Sequence, residues 1–181
     1  TSSAVGFMSD KSCSRTQAAV SSVRRRCSES TSLVANNSSL LAAVADEVLP
    51  TLLSADEPCA WIIDDTGFPK KGRHSVGVAR QYCGQTGKTD NCRVAVSLSL
   101  ANAQGSLPVQ CRLYLPKEWA GDAPRRQKAG VPDEVVFATK GQIAWQQIQA
   151  ALKAGYPRGT VLADAAYGDE TAWREQLTGA G

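Results

Sequence analysis

The chain has 181 residues, of which 43% are hydrophobic and 6% aromatic, and this length is enough to bury one core of ordinary domain size. Its net charge of +3 is too small to indicate a nucleic-acid partner unless the basic residues cluster locally. No apolar run approaches the roughly 20 residues that a membrane span needs, and no basic-then-apolar start suggests secretion. We therefore expect a cytoplasmic protein without a membrane partner.

Six cysteines are present, and no two of them have the C-x-x-C spacing of a zinc site. The sequence contains a single histidine, so few other soft ligands are available. Because the cysteines lie within apolar runs, we predict that they are reduced structural thiols. They are Cys13, Cys27, Cys59, Cys83, Cys92 and Cys111.

Residues 1–32 are rich in serine, threonine, arginine and cysteine, and their weak periodicity predicts a frayed arm or a poorly packed helix. Residues 38–54 carry leucine and valine at helical spacing, which predicts a helix that Pro50 interrupts. A loop at residues 56–58 leads to residues 60–65, a β-branched apolar run that ends in two aspartates. This run predicts a buried strand.

Two glycines and a proline predict a turn over residues 66–72, and residues 75–82 are expected to be extended. Alternation over residues 93–100 predicts a strand. A short turn then leads to a strand over residues 107–115, which should be antiparallel to it. Residues 116–132 are charged and contain three prolines, so we expect a loop there.

Residues 142–153 carry an apolar helical face, and Gly155 is placed to end that helix. Residues 159–164 form a fourth strand that again ends in an acid, and residues 168–177 predict a final helix. A helical crossover after a meander of three strands should bring the fourth strand parallel to the first or to a neighbour of the first. The sequence therefore predicts an α/β fold with a mixed sheet flanked by helices.

Asp65 and Asp164 each end an apolar strand, and the C-terminal ends of parallel strands form the ligand-binding edge of such a sheet. Magnesium prefers hard oxygen ligands and takes one or two protein carboxylates, so this pair predicts a metal site. Composition alone favours the simpler alternative, in which each aspartate starts a turn or caps a helix. Asp64 and Asp65 point to opposite faces of the strand, so only one of them can join Asp164, and Asp65 falls on the side of Trp61 and Ile63. Spacing by itself does not decide between Asp64 and Asp65.

Six basic and three acidic residues lie between positions 64 and 93, and a second basic group lies at residues 125–128. Phosphates attract such charge without any reading of base sequence, whereas a lone basic run is more often a solvated loop. Because the first basic group directly follows a carboxylate at the end of a strand, a metal ion and a DNA phosphate would bind at the same edge of the sheet. The candidates for DNA contact are Lys70, Lys71, Arg73, Arg80, Arg125 and Arg126.

Two further residues each have two candidate roles. His74 could act as a general base, although a lone histidine in a basic turn more often contacts phosphate or solvent. Trp119 could stack on a nucleobase, although packing against the edge of the sheet is the more common role for such a residue.

The sequence contains the stretches WIIDDTGFPKKG, HSVGVARQYCGQTGKTDNCRVAVSLSLA, LPVQCRLYLPKEWAGD, RRQKAGVPDEVVFATK and GTVLADAAYG. Together they closely resemble the DDE transposases of bacterial insertion sequences, in the branch of DDE-superfamily endonucleases that carries DDTGFPKKG. The likeness covers about residues 33–181 and is specific, because several long motifs occur in the right order. Residues 1–32 match the pattern poorly.

The resemblance implies a ribonuclease H-like core in which Asp65 and Asp164 are the first and second catalytic acids and metal ligands. It also implies a third acid, a glutamate on a later helix. Glu170 and Glu175 come too soon after the second aspartate to be assigned to it. The catalytic core is therefore expected to be incomplete at its C-terminus.

In terms of domains, we expect an N-terminal arm and helix over residues 1–58 and a partial ribonuclease H-like core over residues 59–181. The resemblance implies that water attacks a phosphodiester at the element's end, and that the released 3′-hydroxyl then attacks target DNA. Two Mg²⁺ or Mn²⁺ ions would serve the complete enzyme. The implied partners are double-stranded DNA at the transposon ends and target, in a homo-oligomer associated with the bacterial nucleoid.

Two other interpretations stay open. An aspartate-nucleophile phosphatase also carries an acid and a threonine after an apolar strand, but it needs D-x-D, whereas Asp64 and Asp65 are adjacent. Alternatively, the chain is a truncated or decayed transposase fragment that lacks activity and at most binds DNA weakly. Without the third acid, the chain by itself is expected to be inactive.

Overall fold

The computed structural model describes residues 33–53 and 59–180, so the expectation for residues 1–32 lies outside the described part. Side chains of the first helix are described from Leu40 onward. The elements are α1 (Leu33–Leu52), β1 (Ala60–Pro69), β2 (Ala79–Cys83), β3 (Lys88–Ala101), β4 (Ser106–Leu113), α2 (Lys117–Ala120), α3 (Ala123–Lys128), α4 (Lys140–Lys153), β5 (Thr160–Leu162), α5 (Ala165–Gly168) and α6 (Thr171–Ala180).

The five strands form one mixed sheet. The second half of β3 lies between β1 and β4 and pairs antiparallel with both, whereas the first half pairs with β2. β5 pairs with β1 in parallel. The predicted meander and the parallel return of the last strand are therefore confirmed, and a mixed sheet flanked by helices is consistent with the ribonuclease H-like fold.

One face of the sheet carries the core. Val96, Leu98 and Leu100 alternate along β3 and are fully buried, whereas Ser97 and Ser99 between them are partly exposed. This alternation is typical of an antiparallel ladder with one packed face. The buried side chains of α1 and α4 belong to the same core cluster as these β3 residues. Full burial of such a side chain contributes about 1.5–3 kcal/mol, so the core is the main source of stability.

α1 continues through Pro50 to Leu52, so the prediction that proline interrupts this helix was wrong. Proline removes one backbone donor, but near the C-terminal end of a helix this costs a single hydrogen bond. Leu49 and Leu52 are 6% and 9% exposed and pack into the core, and the Leu53 amide still donates to the Leu49 carbonyl at 2.8 Å. Apolar burial therefore holds the last turn of α1 against the proline.

Other boundaries also differ from the prediction, and β3 begins at Lys88, five residues before its predicted start. β1 extends to Pro69, because its antiparallel partner β3 continues to supply hydrogen bonds through the predicted turn. The predicted loop over residues 116–132 contains two short helices, and Asp122 caps the second by accepting a hydrogen bond from the Arg125 amide. The predicted helix over residues 168–177 is divided into α5 and α6.

The chain enters β5 through a close backbone contact. A Cβ atom on Gly159 would lie 2.0 Å from the Cys59 carbonyl oxygen, so only glycine fits where the chain comes alongside β1. The indole N–H of Trp61 donates to the Pro157 carbonyl at 2.8 Å and fixes the preceding turn. Gly155 has a φ of 76° and ends α4, as predicted.

Two findings bear on the class of protein. Cys59, Cys83, Cys92 and Cys111 are not joined in disulfide bonds, and burial raises the pKa of Cys92 to about 11. Cys13 and Cys27 lie outside the described residues. Within residues 33–53 and 59–180, no helix has the length and apolar character that crossing a membrane requires.

Candidate active site

Asp65 is held on both of its carboxylate oxygens by other side chains. It follows Trp61 and Ile63 on the same face of β1, and its side chain is 22% exposed. The Lys140 ammonium group contacts Oδ2 at 2.5 Å, and the Tyr167 hydroxyl donates to Oδ1 at 2.5 Å. Asp65 lies within β1 and not at its tip, because β1 continues past it, and this corrects the prediction of a strand-end acid.

Lys140 owes its position to the start of α4. Thr139 caps this helix, its side chain accepts from the Gln142 amide, and the Gln142 side chain accepts from the Thr139 amide in return. This reciprocal cap makes Lys140 the first helical residue. A cation is unfavourable at the positive end of a helix, so the contact with Asp65 compensates for a charge in an adverse position.

Tyr167 reaches Asp65 from α5. Its side chain is 4% exposed, and its ring packs against Trp173 with 5.7 Å between ring centroids. Asp164 is the N-cap of α5, and its carboxylate accepts from the Tyr167 amide at 3.3 Å. The backbone of Tyr167 is therefore bound by one predicted acid and its hydroxyl by the other.

The pKa of Tyr167 reflects this surrounding charge. Burial raises it first, the hydrogen bond to Asp65 raises it further, and the charges of Asp65, Asp164 and Asp64 add to the effect in that order. Three carboxylates are thus near enough to act on one hydroxyl group. Tyr167 stays protonated and remains a hydrogen-bond donor at neutral pH.

Asp164 follows β5 and does not lie on it, because the strand ends at Leu162. The register pairs Leu162 with Ile62, two residues before Asp64. Asp164 is exposed and serves as a helix cap, which is the structural alternative that composition favoured. Capping does not exclude a ligand role, since a carboxylate has a second oxygen and further lone pairs.

Asp65 and Asp164 are chemically suitable ligands for a divalent cation, but two carboxylates are fewer ligands than a complete metal site needs. Asp65 and Asp164 carry hard carboxylate oxygens, which are the ligands that Mg²⁺ prefers. However, among the residues that the structure describes, no three His, Cys, Asp or Glu side chains form a group that could hold a metal ion. Glu170 instead lies beside the start of α4, where its Oε2 would be 2.8 Å from a Cβ atom on Gly141.

The turn after β1 is held in a fixed shape by Asn91. The Asn91 side chain donates to the carbonyls of Lys70 at 2.5 Å and Gly72 at 3.0 Å. Lys71 and Arg73 are exposed on this turn, whereas Lys70 is half-buried. Burial lowers the pKa of Lys70, and the charge of Arg93 lowers it further.

The other predicted DNA contacts divide into outward and inward groups. Arg80 is exposed on β2. The Arg125 guanidinium lies over the Trp119 ring, 3.7 Å from its centroid, and donates to the Arg73 carbonyl at 2.8 Å. Arg126 turns inward and donates to the Pro132 carbonyl at 2.9 Å, which favours a structural role over contact with DNA.

His74 and Trp119 also have defined surroundings. Trp119 is fully buried and its indole N–H donates to the Val78 carbonyl at 2.8 Å, so it packs inside the protein and cannot stack on a nucleobase. His74 is exposed and lines a cavity with Trp119 and Arg125. The side chains that bind Asp65 are those of Lys140 and Tyr167, and the general-base role of His74 stays a hypothesis.

Lys140 and Tyr167 were not identified from the sequence as site residues. Both lie in recognised stretches: Lys140 is the last residue of RRQKAGVPDEVVFATK, and Tyr167 follows the second aspartate in GTVLADAAYG. The short spacing from Asp164 to Tyr167 was a usable signal, because three residues separate a helix cap from the amide that it binds.

Comparison with known proteins gives a family and one relative. The sequence profile of the family described as DDE superfamily endonuclease matches residues 15–181. A protein of Microchaete diplosiphon, "Probable transposase for insertion sequence element IS701", is 38% identical over 112 residues, which are 62% of this chain. The matched part spans 27% of that relative's length. No solved structure matches the chain.

Proposed function

The chain belongs to the DDE superfamily of endonucleases, and from that premise we propose that it carries two catalytic acids of an insertion-sequence transposase. The proposed reaction is cleavage of DNA at the ends of the element, followed by transfer of the released 3′-hydroxyl to target DNA. The observation that carries this proposal is that Tyr167 binds Asp65 through its hydroxyl and Asp164 through its amide. One residue thereby ties together two acids that are far apart in sequence.

Asp65 and Asp164 are the proposed ligands of the divalent metal ions that endonucleases of this superfamily generally use. When bound there, Mg²⁺ or Mn²⁺ would activate the attacking water or 3′-hydroxyl and stabilise charge on the leaving oxygen. In the absence of such an ion, the Lys140 ammonium neutralises Asp65. Because Lys140 occupies Oδ2, a cation that binds this oxygen has to displace the ammonium group.

Tyr167 is proposed as the residue that orients Asp65. Its ring is fixed by Trp173 and its hydroxyl remains protonated, so it directs one carboxylate oxygen and leaves the other for a cation. Partners of this kind hold a metal ligand in one orientation, and their loss typically costs 10–100-fold in metal affinity or activity. The exposed cations of the turn after β1 would meanwhile bind DNA phosphates near the same strand.

The test is cleavage of labelled element ends in Mg²⁺ by the protein encoded by the complete reading frame that carries this chain. Asp65→Ala and Asp164→Ala should remove several kcal/mol of transition-state stabilisation, about a thousand-fold in rate. Asp164→Asn retains the helix cap, so its loss of activity would report charge and not folding. Asp64→Ala is the matched control, because Asp64 is exposed on the opposite face of β1.

Two results would contradict this proposal. If Asp64→Ala abolishes cleavage while Asp65→Ala does not, the fold stands and the choice of acid is wrong. If the wild-type protein leaves the element ends intact in both Mg²⁺ and Mn²⁺, the proposed reaction itself is wrong.

The 181-residue chain by itself is proposed to be inactive. Magnesium keeps most of its waters and binds weakly to a site of two carboxylates, so in-line displacement would lack the required geometry. Metal-dependent cleavage by the purified chain that Asp164→Ala abolishes would place the third acid within it. Glu170 and Glu175 would then be the first residues to substitute.

A further inference from the structure

We propose that a cavity beside α3 binds a single backbone phosphate of DNA, with Arg125 and Lys128 as the charged groups and His74 as an additional donor. The cavity has a volume of about 330 Å³ and contains no acidic side chain in its lining. The lining consists of His74, Trp119, Arg125, Lys128 and Ala129. The identity of the ligand as DNA rests on the proposed function.

The Arg125 guanidinium is held in place before any ligand arrives. It stacks on the Trp119 ring and donates to the Arg73 carbonyl. Trp119 is itself held in position, because it is fully buried and its indole N–H donates to the Val78 carbonyl. A guanidinium that is already ordered loses little entropy on binding an anion, and most of its five N–H groups remain available after one bond to a carbonyl.

The positive charge of the cavity is not neutralised from within. Lys128 lies three residues after Arg125 and therefore on the same side of α3. Within residues 40–53 and 59–180, neither Arg125 nor Lys128 forms an ion pair with a carboxylate. Asp122, which precedes α3, accepts from the Arg125 amide and serves as a helix cap. Uncompensated cations in a concave site attract anions.

The shape and position of the cavity favour a phosphate that belongs to a polymer. Pockets that enclose small ligands have volumes of roughly 300–1,000 Å³, and this one is at the lower end and partly open. The Arg73 carbonyl that holds Arg125 belongs to the exposed turn that presents Lys71 and Arg73. A DNA strand whose backbone runs along Lys71 and Arg73 would place one of its phosphates in the cavity.

The first test is binding of a short fluorescent duplex by the 181-residue chain in EDTA, measured by anisotropy over a range of salt concentrations. Lys128→Gln should reduce the slope of log Kd against log salt by about 0.9, the value for one phosphate contact. Arg125→Lys should weaken binding without changing the slope, because the charge remains while the ordered fork is lost. Lys153→Gln is the matched control, an exposed lysine at the end of α4 and outside the cavity.

The second test uses inorganic phosphate as the probe and follows the ¹⁵N side-chain signals of Arg125 and His74 by NMR. Saturable shifts that equal ionic strengths of chloride do not produce would support the site. Equal effects of Lys128→Gln and Lys153→Gln on duplex binding would overturn the proposal. Saturation by phosphate with unchanged duplex binding would overturn the DNA assignment in favour of a free phosphate.

Failure of this proposal and failure of the proposed function are distinguishable. Binding in EDTA requires no divalent ion, so an inert cavity leaves the cleavage chemistry of Asp65 and Asp164 untouched. Conversely, full cleavage activity after substitution of both acids would contradict the proposed catalytic role of Asp65 and Asp164 but would leave the proposed phosphate contact unaffected.

Discussion

The charge of Asp65 on β1 is paired within the protein, whereas the basic side chains on α3 and on the turn after β1 have no such acidic partner in the cavity lining or on the exposed turn. Both oxygens of Asp65 are bound by side chains of the same protein, so this charge is neutralised and its geometry is fixed internally. Arg125 and Lys128 line a cavity that has no acidic side chain in its lining, and Lys71 and Arg73 are exposed. Under the proposed function, a metal ion at Asp65 would have to displace a protein group, whereas the basic side chains would bind DNA without such a displacement.

The largest expected effect on DNA binding concerns the basic residues of the turn after β1. Changing Lys70, Lys71 and Arg73 together to alanine should weaken binding of all duplex sequences alike, because phosphate contacts carry no sequence information. Each lost contact should flatten the salt dependence by about 0.9. The measurement is Kd for two unrelated duplexes over a salt series. A loss confined to one duplex would mean that these residues read bases, and the contrast between the two regions would then fail.

Removal of the Tyr167 hydroxyl tests the acidic region. Tyr167→Phe keeps the ring against Trp173 but deprives Asp65 of a hydrogen bond, which should lower the free energy of unfolding by about 1.5–3 kcal/mol. Urea denaturation at neutral pH measures this difference. An unchanged stability would show that the contact with Asp65 contributes nothing to the fold.

The stability difference between the wild-type protein and Tyr167→Phe should also depend on pH in the alkaline range. The pKa of Tyr167 is raised in the folded state, so its contribution to stability is complete below the ordinary tyrosine pKa of about 10 and is lost as pH rises above that value. The wild-type protein should therefore lose up to about 1.4 kcal/mol per pH unit more than Tyr167→Phe above pH 10. Urea denaturation between pH 8 and 11 compares the two. Parallel curves would contradict the raised pKa.

Lys140 should change metal affinity by a smaller amount. Lys140→Met retains the length of the side chain and removes the competing charge, so the Kd of Mn²⁺ for the chain should fall by about tenfold, which corresponds to about 1.4 kcal/mol. Isothermal titration calorimetry measures this value. Lys117→Met is a suitable control, because Lys117 is exposed on α2 and its ammonium lies over Phe137. Weaker Mn²⁺ binding after Lys140→Met would show that the ammonium supports the site and does not compete for it.

The smallest expected effect separates two adjacent arginines. Arg126 donates to main-chain carbonyls, so Arg126→Ala should lower the free energy of unfolding by about 1 kcal/mol and leave the salt dependence of DNA binding unchanged. Arg125→Ala should do the reverse, with weaker and less salt-dependent binding. Thermal denaturation and anisotropy on both variants decide the matter. A flatter slope for Arg126→Ala would place it among the DNA contacts.

Much of the architecture followed from local pattern, because the period of apolar residues reports which face of an element is buried. Alternation in β3 and helical spacing in α4 predicted both elements and their packed faces. The boundary errors occurred where a neighbour overrode the local signal. The ladder with β3 carries β1 beyond its predicted end, and core contacts carry α1 through Pro50.

For the candidate site, the sequence alone determined that Asp65 faces the packed side of β1, since alternation places it with Trp61 and Ile63. It also determined the family through the order of its motifs. Only the tertiary structure decided which charged side chains have partners within the protein. Lys140 and Tyr167 reach Asp65 from 75 and 102 residues away, and no local pattern encodes a contact across that separation. The same holds for Arg125 and Arg126, which look alike in sequence but point to a cavity and to the interior because of where α3 packs.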